Sequence, residues 1–224
     1  MEYSIFTTGW KSLNNLRLCV AEAYESTIPP SEFCVVINPY GYHTPDIIDY
    51  CVKEERITRY ALMSQNIGCA RGFNTGFNLC NSPFVVALSD DCRVGPTTYE
   101  KMIKEFDDSQ VGIVGIEMGG RPEHKRPTLK GFLLAFRLEM IDEIGGYSML
   151  NGPLADEHDL GLKAWANGWK SVVAKNCEWE HFHDISAHPD QDLPFMGKVF
   201  NVAKSPEIRD SQRWDKYNSM IEDN

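Results

Sequence analysis

Residues 83–91 read Pro83-Phe84-Val85-Val86-Ala87-Leu88-Ser89-Asp90-Asp91. The run from Pro83 to Leu88 has strand length and no polar side chain, which predicts a strand buried on both faces. It stops abruptly on a serine and two carboxylates. Paired acids after a strand also serve as plain loop residues that cap the next segment. A buried strand running straight into them favours a ligand-facing position, because open α/β sheets bind ligands in the crevice at the carboxyl ends of their strands.

Outward from that stretch, strand-length apolar runs alternate with segments of helical period, the pattern of βα units around a mainly parallel sheet flanked by helices. Tyr3 to Thr8 reads as a strand, followed by a helix with Leu13, Leu16, Val20 and Tyr24 near one face. Phe33 to Asn38 is a second strand. Thr44-Pro45 opens a helix, with a capping hydroxyl and a proline at the first position. Arg59 to Met63, Val111 to Ile116 and Leu129 to Phe136 are further strands, and Cys69 to Leu79, Thr98 to Phe106 and Leu138 to Ile144 further helices. Gly145-Gly146 ends the last of these. A helix from Asp156 to Asn167 follows, then extended chain at Val172 to Ala174 and Cys177 to Phe182. Gly119 to Lys130, rich in Gly, Pro and basic residues, reads as a loop.

Composition narrows the function. The 22 Lys and Arg against 32 Asp and Glu give a net charge of -10 over 224 residues. That balance excludes a general nucleic-acid surface, which needs an excess of cations. A single phosphorylated small molecule remains compatible, since a metal ion and a few backbone amides offset its charge locally. The seven cysteines form no C-x-x-C pair and read as reduced interior thiols. With neither a secretory leader nor an apolar run of membrane-spanning length in the sequence, a cytoplasmic protein is expected.

Besides Ser89-Asp90-Asp91, three stretches carry chemistry. Asn66 to Gly76 places glycines and short residues between a strand and a helix, where the backbone can approach a flat or phosphorylated ligand. Tight packing of the turn explains the same glycines. Asp156-Glu157-His158-Asp159 opens a helix, a position that suits a proton acceptor and equally suits acids favoured by the helix dipole. Glu180-His181-Phe182-His183-Asp184 alternates two histidines on one side of an extended chain, where they can supply a nitrogen ligand to a metal. Asp90 and Asp91, adjacent carboxylates at a strand end, are suited to holding a hard divalent cation that also meets diphosphate oxygens.

The order of these stretches resembles the family-two and related glycosyltransferases of the A-type fold. Those show an N-x-G-x-x-x-G-x-N stretch, an aspartate motif after a strand, a G-G-[FY] segment, an acid pair before D-L and a late His. Here they are Asn66 to Asn74, Ser89-Asp90-Asp91, Gly145-Gly146-Tyr147, Asp156-Glu157 before Asp159-Leu160, and His181 or His183.

The resemblance implies a single Rossmann-like catalytic domain over residues 1–183, with a nucleotide-binding half to about residue 91 and an acceptor-binding half from about residue 92. Residues 184–224 form an extension, partly helical near Gln212 to Ile221. It implies a nucleotide-sugar donor, with UDP-sugars first in line, and transfer with inversion to an acceptor hydroxyl on a glycan, a lipid-linked sugar or a protein. Thr7, Thr8, Gly9 and Asn38 would line the nucleotide pocket, with Asn66, Gly68, Arg71, Gly72 and Asn74 against the base and ribose. Ser89, Asp90 and Asp159 would also meet the substrate. Asp91 and either His181 or His183 would hold Mn²⁺ or Mg²⁺, and Glu157 or Asp156 would be the catalytic base. Three departures stand out: Ser89 replaces the first acid of D-x-D, Asn38 replaces an acid at the second strand end, and the acid pair runs Asp-Glu. A metal-dependent hydrolase or a non-catalytic nucleotide-sugar module shares parts of this inventory. Trp165, Trp169, Trp179 and Trp214 are candidates for a sugar-stacking platform or for core packing.

Overall fold

The computed structural model describes residues 1–119, 128–148 and 156–182. Its strands are β1 (Tyr3–Gly9), β2 (Glu32–Ile37), β3 (Arg59–Leu62), β4 (Phe84–Leu88), β5 (Cys92–Val94), β6 (Val111–Gly115), β7 (Met118–Gly119), β8 (Thr128–Leu129), β9 (Leu133–Arg137), β10 (Lys170–Val173) and β11 (Trp179–His181). Its α-helices are α1 (Leu13–Glu25), α2 (Thr44–Lys53), α3 (Gly68–Leu79), α4 (Thr98–Lys104), α5 (Leu138–Ile144) and α6 (Asp156–Ala166).

Seven strands form the central sheet in the order β10-β6-β9-β4-β1-β2-β3. β1, β2, β3 and β4 run parallel, as do β6 and β10, while β9 lies antiparallel between β4 and β6. The sheet is therefore the mainly parallel one expected, with a single reversal. β4, the stretch first read, is buried at every position and sits in the middle.

Period-two alternation sorts the core. Ile5, Val35, Val86 and Leu133 face one side with Leu16, Val20, Ile47, Tyr99 and Met102. Phe6, Cys34, Val85 and Phe136 face the other with Phe77, Met140, Tyr147 and Leu160. Each such large side chain contributes roughly 1.5–3 kcal/mol through removal of apolar surface from water.

Local chemistry sets the helix starts. The Ser12 hydroxyl accepts from the Asn15 N–H at 3.2 Å and caps α1. At α2 the expected cap differs. A 3₁₀ turn, Gly41–His43, runs directly into the helix, so Thr44 lies inside it and its hydroxyl accepts from the Tyr40 N–H at 2.8 Å instead. The expected strand Leu129 to Phe136 is also two pieces: β8 pairs with β7 in a small ladder, a turn intervenes, and only β9 joins the sheet. The ends of the expected basic loop are thus an antiparallel ladder; residues 120–127 lie outside the described residues.

Candidate active site

β1 and β4 are adjacent and parallel, so the ends of both deliver their next residues to one edge. From β1, Thr7 and Gly9 are buried and Thr8 is half-buried. The Thr7 hydroxyl is shut off from solvent yet has no hydrogen-bond partner among the described residues. A buried polar atom left that way is costly and draws notice to its surroundings. Past β2, Asn38 is also buried, and its side-chain carbonyl accepts from the Ile67 N–H at 3.3 Å.

The segment after β3 is shaped by its glycines. Gly68 has φ +76°, a left-handed conformation that side chains resist, and its N–H donates to Asn66 Oδ1 at 2.9 Å. In α3, a Cβ at Gly72 would lie 3.2 Å from Thr8 Cγ2, and one at Gly76 would lie 2.3 Å from the Phe6 ring. Both glycines therefore serve the close approach of α3 to β1, and Gly72 does so beside Thr8 and Asn38. Arg71 is exposed at the same end of the helix.

Asn74, expected against the base and ribose, is anchored through its side chain. Its amide pairs with the backbone of Tyr147: Nδ2 donates to Tyr147 O at 2.9 Å and Oδ1 accepts from Tyr147 N–H at 2.9 Å. Both ends of the amide are taken up by tying two halves of the chain together.

After β4 the carboxylates diverge. Burial, with the neighbouring Asp91 carboxylate, pushes Asp90 up to about 7 despite the opposing Arg93. The Arg93 guanidinium donates to the Asp90 carbonyl at 3.1 Å and to Asn15 Oδ1 at 3.2 Å, bracing the turn from behind. Asp91 is 3% exposed. The Ser89 hydroxyl donates to Asp91 Oδ1, and His181 Nε2 meets the same oxygen at 3.1 Å. Ser89 thus orients the carboxylate two residues further on.

His181 arrives because β11 pairs antiparallel with β5, with His181 opposite Cys92, and the Phe182 N–H donates to the Asp91 carbonyl at 3.0 Å. Its ring stacks on Phe132, centroids 4.4 Å apart and planes 19° apart. One oxygen donor and one nitrogen donor are therefore preset side by side, a pair that suits a borderline or hard divalent cation. No group of three His, Cys, Asp or Glu occurs among the described residues, so the rest of a coordination shell would come from elsewhere.

Residues 4–158 match the glycosyl transferase family 2 pattern. The chain belongs to that family. Its fold is the A-type glycosyltransferase fold. The mannosyltransferase PcManGT from Pyrobaculum calidifontis, solved with GDP-Man and Mn²⁺, superposes with TM-score 0.66 at 19% identity, over 77% of this chain and 54% of that one. S. aureus TarS 1–349 with UDP-GlcNAc superposes with TM-score 0.63 at 15% identity, over 96% of this chain and 69% of that one. S. aureus TarS 1–349 with UDP gives TM-score 0.63 at 14% identity, over 80% and 60%. The family-2 chain thus spans about half the length of the mannosyltransferase. No curated protein sequence matches it.

The acid pair sits at the start of α6, as expected, with Asp156 its first residue. The side chains of Asp156, Glu157 and Asp159 lie outside the described residues, as do His183, Trp214 and all of 184–224. Of the other tryptophans, Trp179 packs on Phe132 at 5.0 Å, Trp169 donates to Glu143 Oε2 at 2.8 Å, and Trp165 is 36% exposed. Among the described residues no helix is long and apolar enough to cross a membrane. Trp10, Tyr40 and Lys11, which no sequence motif singles out, cluster past the ends of β1 and β2. Trp10 and Tyr40 are edge-on at 5.3 Å, with the Lys11 ammonium 3.9 Å and 4.4 Å from the two rings. Aromatic residues within three positions of two adjacent strand ends were the available signal.

Proposed function

We propose that this family-2 chain transfers a sugar from a nucleoside-diphosphate donor, with UDP-sugars the first candidates, to an acceptor hydroxyl, inverting the anomeric centre. The observation that carries the reading is the meeting of Asp91 and His181 at the carboxyl end of β4, 3.1 Å apart across 90 residues of sequence. Thr7, Thr8, Gly9, Asn38, Asn66, Gly68, Arg71, Gly72 and Asp90 form the donor wall, in a nucleotide-binding half that ends near residue 91. Residues 92–183 form the acceptor half, and 184–224 an extension that bears on acceptor choice.

Asp91 with His181, or His183, would hold Mn²⁺ or Mg²⁺, which when bound supplies positive charge against the departing diphosphate. Ser89 and Phe132 keep Asp91 and His181 in place. Glu157, with Asp156 as the alternative, accepts the proton of the attacking hydroxyl from the start of α6. Attack from the face opposite the leaving group inverts the sugar, as in other single displacements. The seven cysteines, none of them in a disulfide, accord with work in the cytoplasm.

The test is a nucleotide-sugar screen by calorimetry, with Mn²⁺, Mg²⁺ or EDTA, followed by transfer assays of Glu157→Gln. Metal-dependent binding of one donor, with transfer abolished and donor affinity unchanged in the variant, is the expected result. No binding of any UDP-, GDP- or dTDP-sugar under any metal sinks the reading.

A further inference from the structure

Lys163 lies in α6 and is only 7% exposed. Its ammonium donates to the Gly146 carbonyl at 2.6 Å. An ammonium on a buried carbonyl is a charge-assisted bond, stronger than a neutral one and costly to leave unmade. An apolar side chain would fill the same space without it.

The acceptor of that bond is an unusual piece of backbone. Gly145 and Gly146 have φ of +77° and +67°, and their N–H groups both donate to the Ile141 carbonyl, at 2.9 Å and 3.2 Å, closing α5. A Cβ on Gly146 would lie 2.6 Å from Asn74 Oδ1. The next peptide, at Tyr147, is the one gripped on both sides by the Asn74 amide of α3. The Tyr147 ring is buried against Phe73 at 5.3 Å and Phe77 at 6.1 Å, also from α3. Two successive residues are therefore held from α6 by a cation and from α3 by an amide. Through them α3, whose first turn belongs to the donor wall, is linked to the helix that starts with the acid pair.

We infer that Lys163 is a positioning residue: its bond to Gly146 fixes α6, and so Glu157, at a set distance from the donor segment of α3. The inference rests on the reading of the site given above. Glu157 precedes Lys163 by six residues, about 9 Å along a helix at 1.5 Å per residue, so a rigid helix transmits the anchor to the acid. Misplacement of a catalytic group by about 1 Å is enough to cost about 100-fold in turnover.

Lys163→Met and Lys163→Arg separate positioning from mere stability. Turnover is read as nucleoside diphosphate released from UDP-GlcNAc or GDP-mannose with Mn²⁺ as water takes the sugar in place of the acceptor hydroxyl, well below each variant's Tm. Lys163→Met is expected to lower kcat by about 100-fold with donor Kd and KM unchanged, and Lys163→Arg to restore most of it. In an Asn74→Ala background, Lys163→Met is expected to do little more, because the two side chains hold one loop. Amide exchange in the free protein reads the bridge without any donor: Lys163→Met should speed exchange at Tyr147 and along α6 by about tenfold. A variant that loses Tm but keeps kcat, or one whose exchange is unchanged, overturns the inference. Wild-type protein that binds no nucleotide sugar overturns the proposed function instead, and the exchange arm still decides the bridge.

Discussion

The two ends of β1 and its neighbours carry polar clusters of opposite kinds. At the amino end, Glu32 accepts from the Ser4 hydroxyl at 2.7 Å, from the Asn81 N–H at 2.9 Å, and from Arg59. The Ser4 hydroxyl is also 2.8 Å from Ser82 Oγ, which is 2.8 Å from Ser31 Oγ, and Ser31 Oγ donates to the Tyr3 carbonyl at 2.8 Å. Burial opposes ionisation of Glu32, but the Asn81, Ser4 and Arg59 bonds outweigh it and hold its carboxyl below the usual range. Only Arg59 Nε in that group is buried without a partner. At the carboxyl end, the Thr7 hydroxyl is buried with no partner among the described residues, and Asp90 is pushed up to about 7 by burial and by Asp91. The same strands thus end in one cluster whose acid is held ionised by its neighbours and in another whose acid is raised beside an unpartnered hydroxyl. Polar groups satisfied within the chain contribute stability, whereas groups held in an unfavourable state mark a place prepared for something else.

Three experiments test that contrast, and a fourth measures an ion pair outside both clusters. Asp91→Asn, at the carboxyl end, should abolish metal-dependent donor binding in calorimetry while the fold, read by circular dichroism, persists. Retained metal-dependent binding would remove Asp91 from the metal role. Glu32→Ala, at the amino end, should cost about 2–3 kcal/mol in urea unfolding, because Ser4, Asn81 and Arg59 lose their acceptor, and should leave donor affinity alone. A loss of donor affinity there would break the distinction between the two ends.

Thr7→Val removes a hydroxyl that no described residue uses. Stability should stay within about 1 kcal/mol of wild type, or rise, because no bond is broken, while donor affinity falls if the hydroxyl meets the ligand. A large loss of stability would show that Thr7 is bonded after all. The smallest effect belongs to Glu54, which the Arg56 hydrogen bond brings down to about 2 against an opposing burial contribution. The depressed carboxyl contributes stability that is present above the ordinary glutamate range and lost as pH falls toward about 2. Arg56 is 41% exposed, so screening limits the contribution to under about 1 kcal/mol. Glu54→Gln should erase that part of the acid-unfolding slope, and an identical pH profile would show the pair to be worth nothing.

Much of the fold was legible because its signals are local. Unbroken apolar runs marked β2, β4 and β6, and Gly145-Gly146 marked the end of α5. β5 and β7 are three and two residues long, too short to show a period. β9 was visible as apolar chain, but its antiparallel direction was not, since alternation is the same in either direction. Near the site, the emergence of Asp90 and Asp91 directly after a buried strand was legible. The pairing of Asn74 with Tyr147 was not, because an amide in a glycine-rich motif gives no local sign of a peptide partner 73 residues away. Lys163 escaped notice as one more lysine on a helix.

By itself the sequence determined the alternation of strands and helices, the edge at which carboxylates emerge, and the order of motifs that marks family 2. These follow from periodicity, turn chemistry and spacing, which a chain carries before it folds. Tertiary structure alone decided that His181 stands against Asp91 and that Lys163 and Asn74 grip one loop from two helices. Those pairings depend on strand register and helix packing, and both are set only when distant segments bury their apolar faces together.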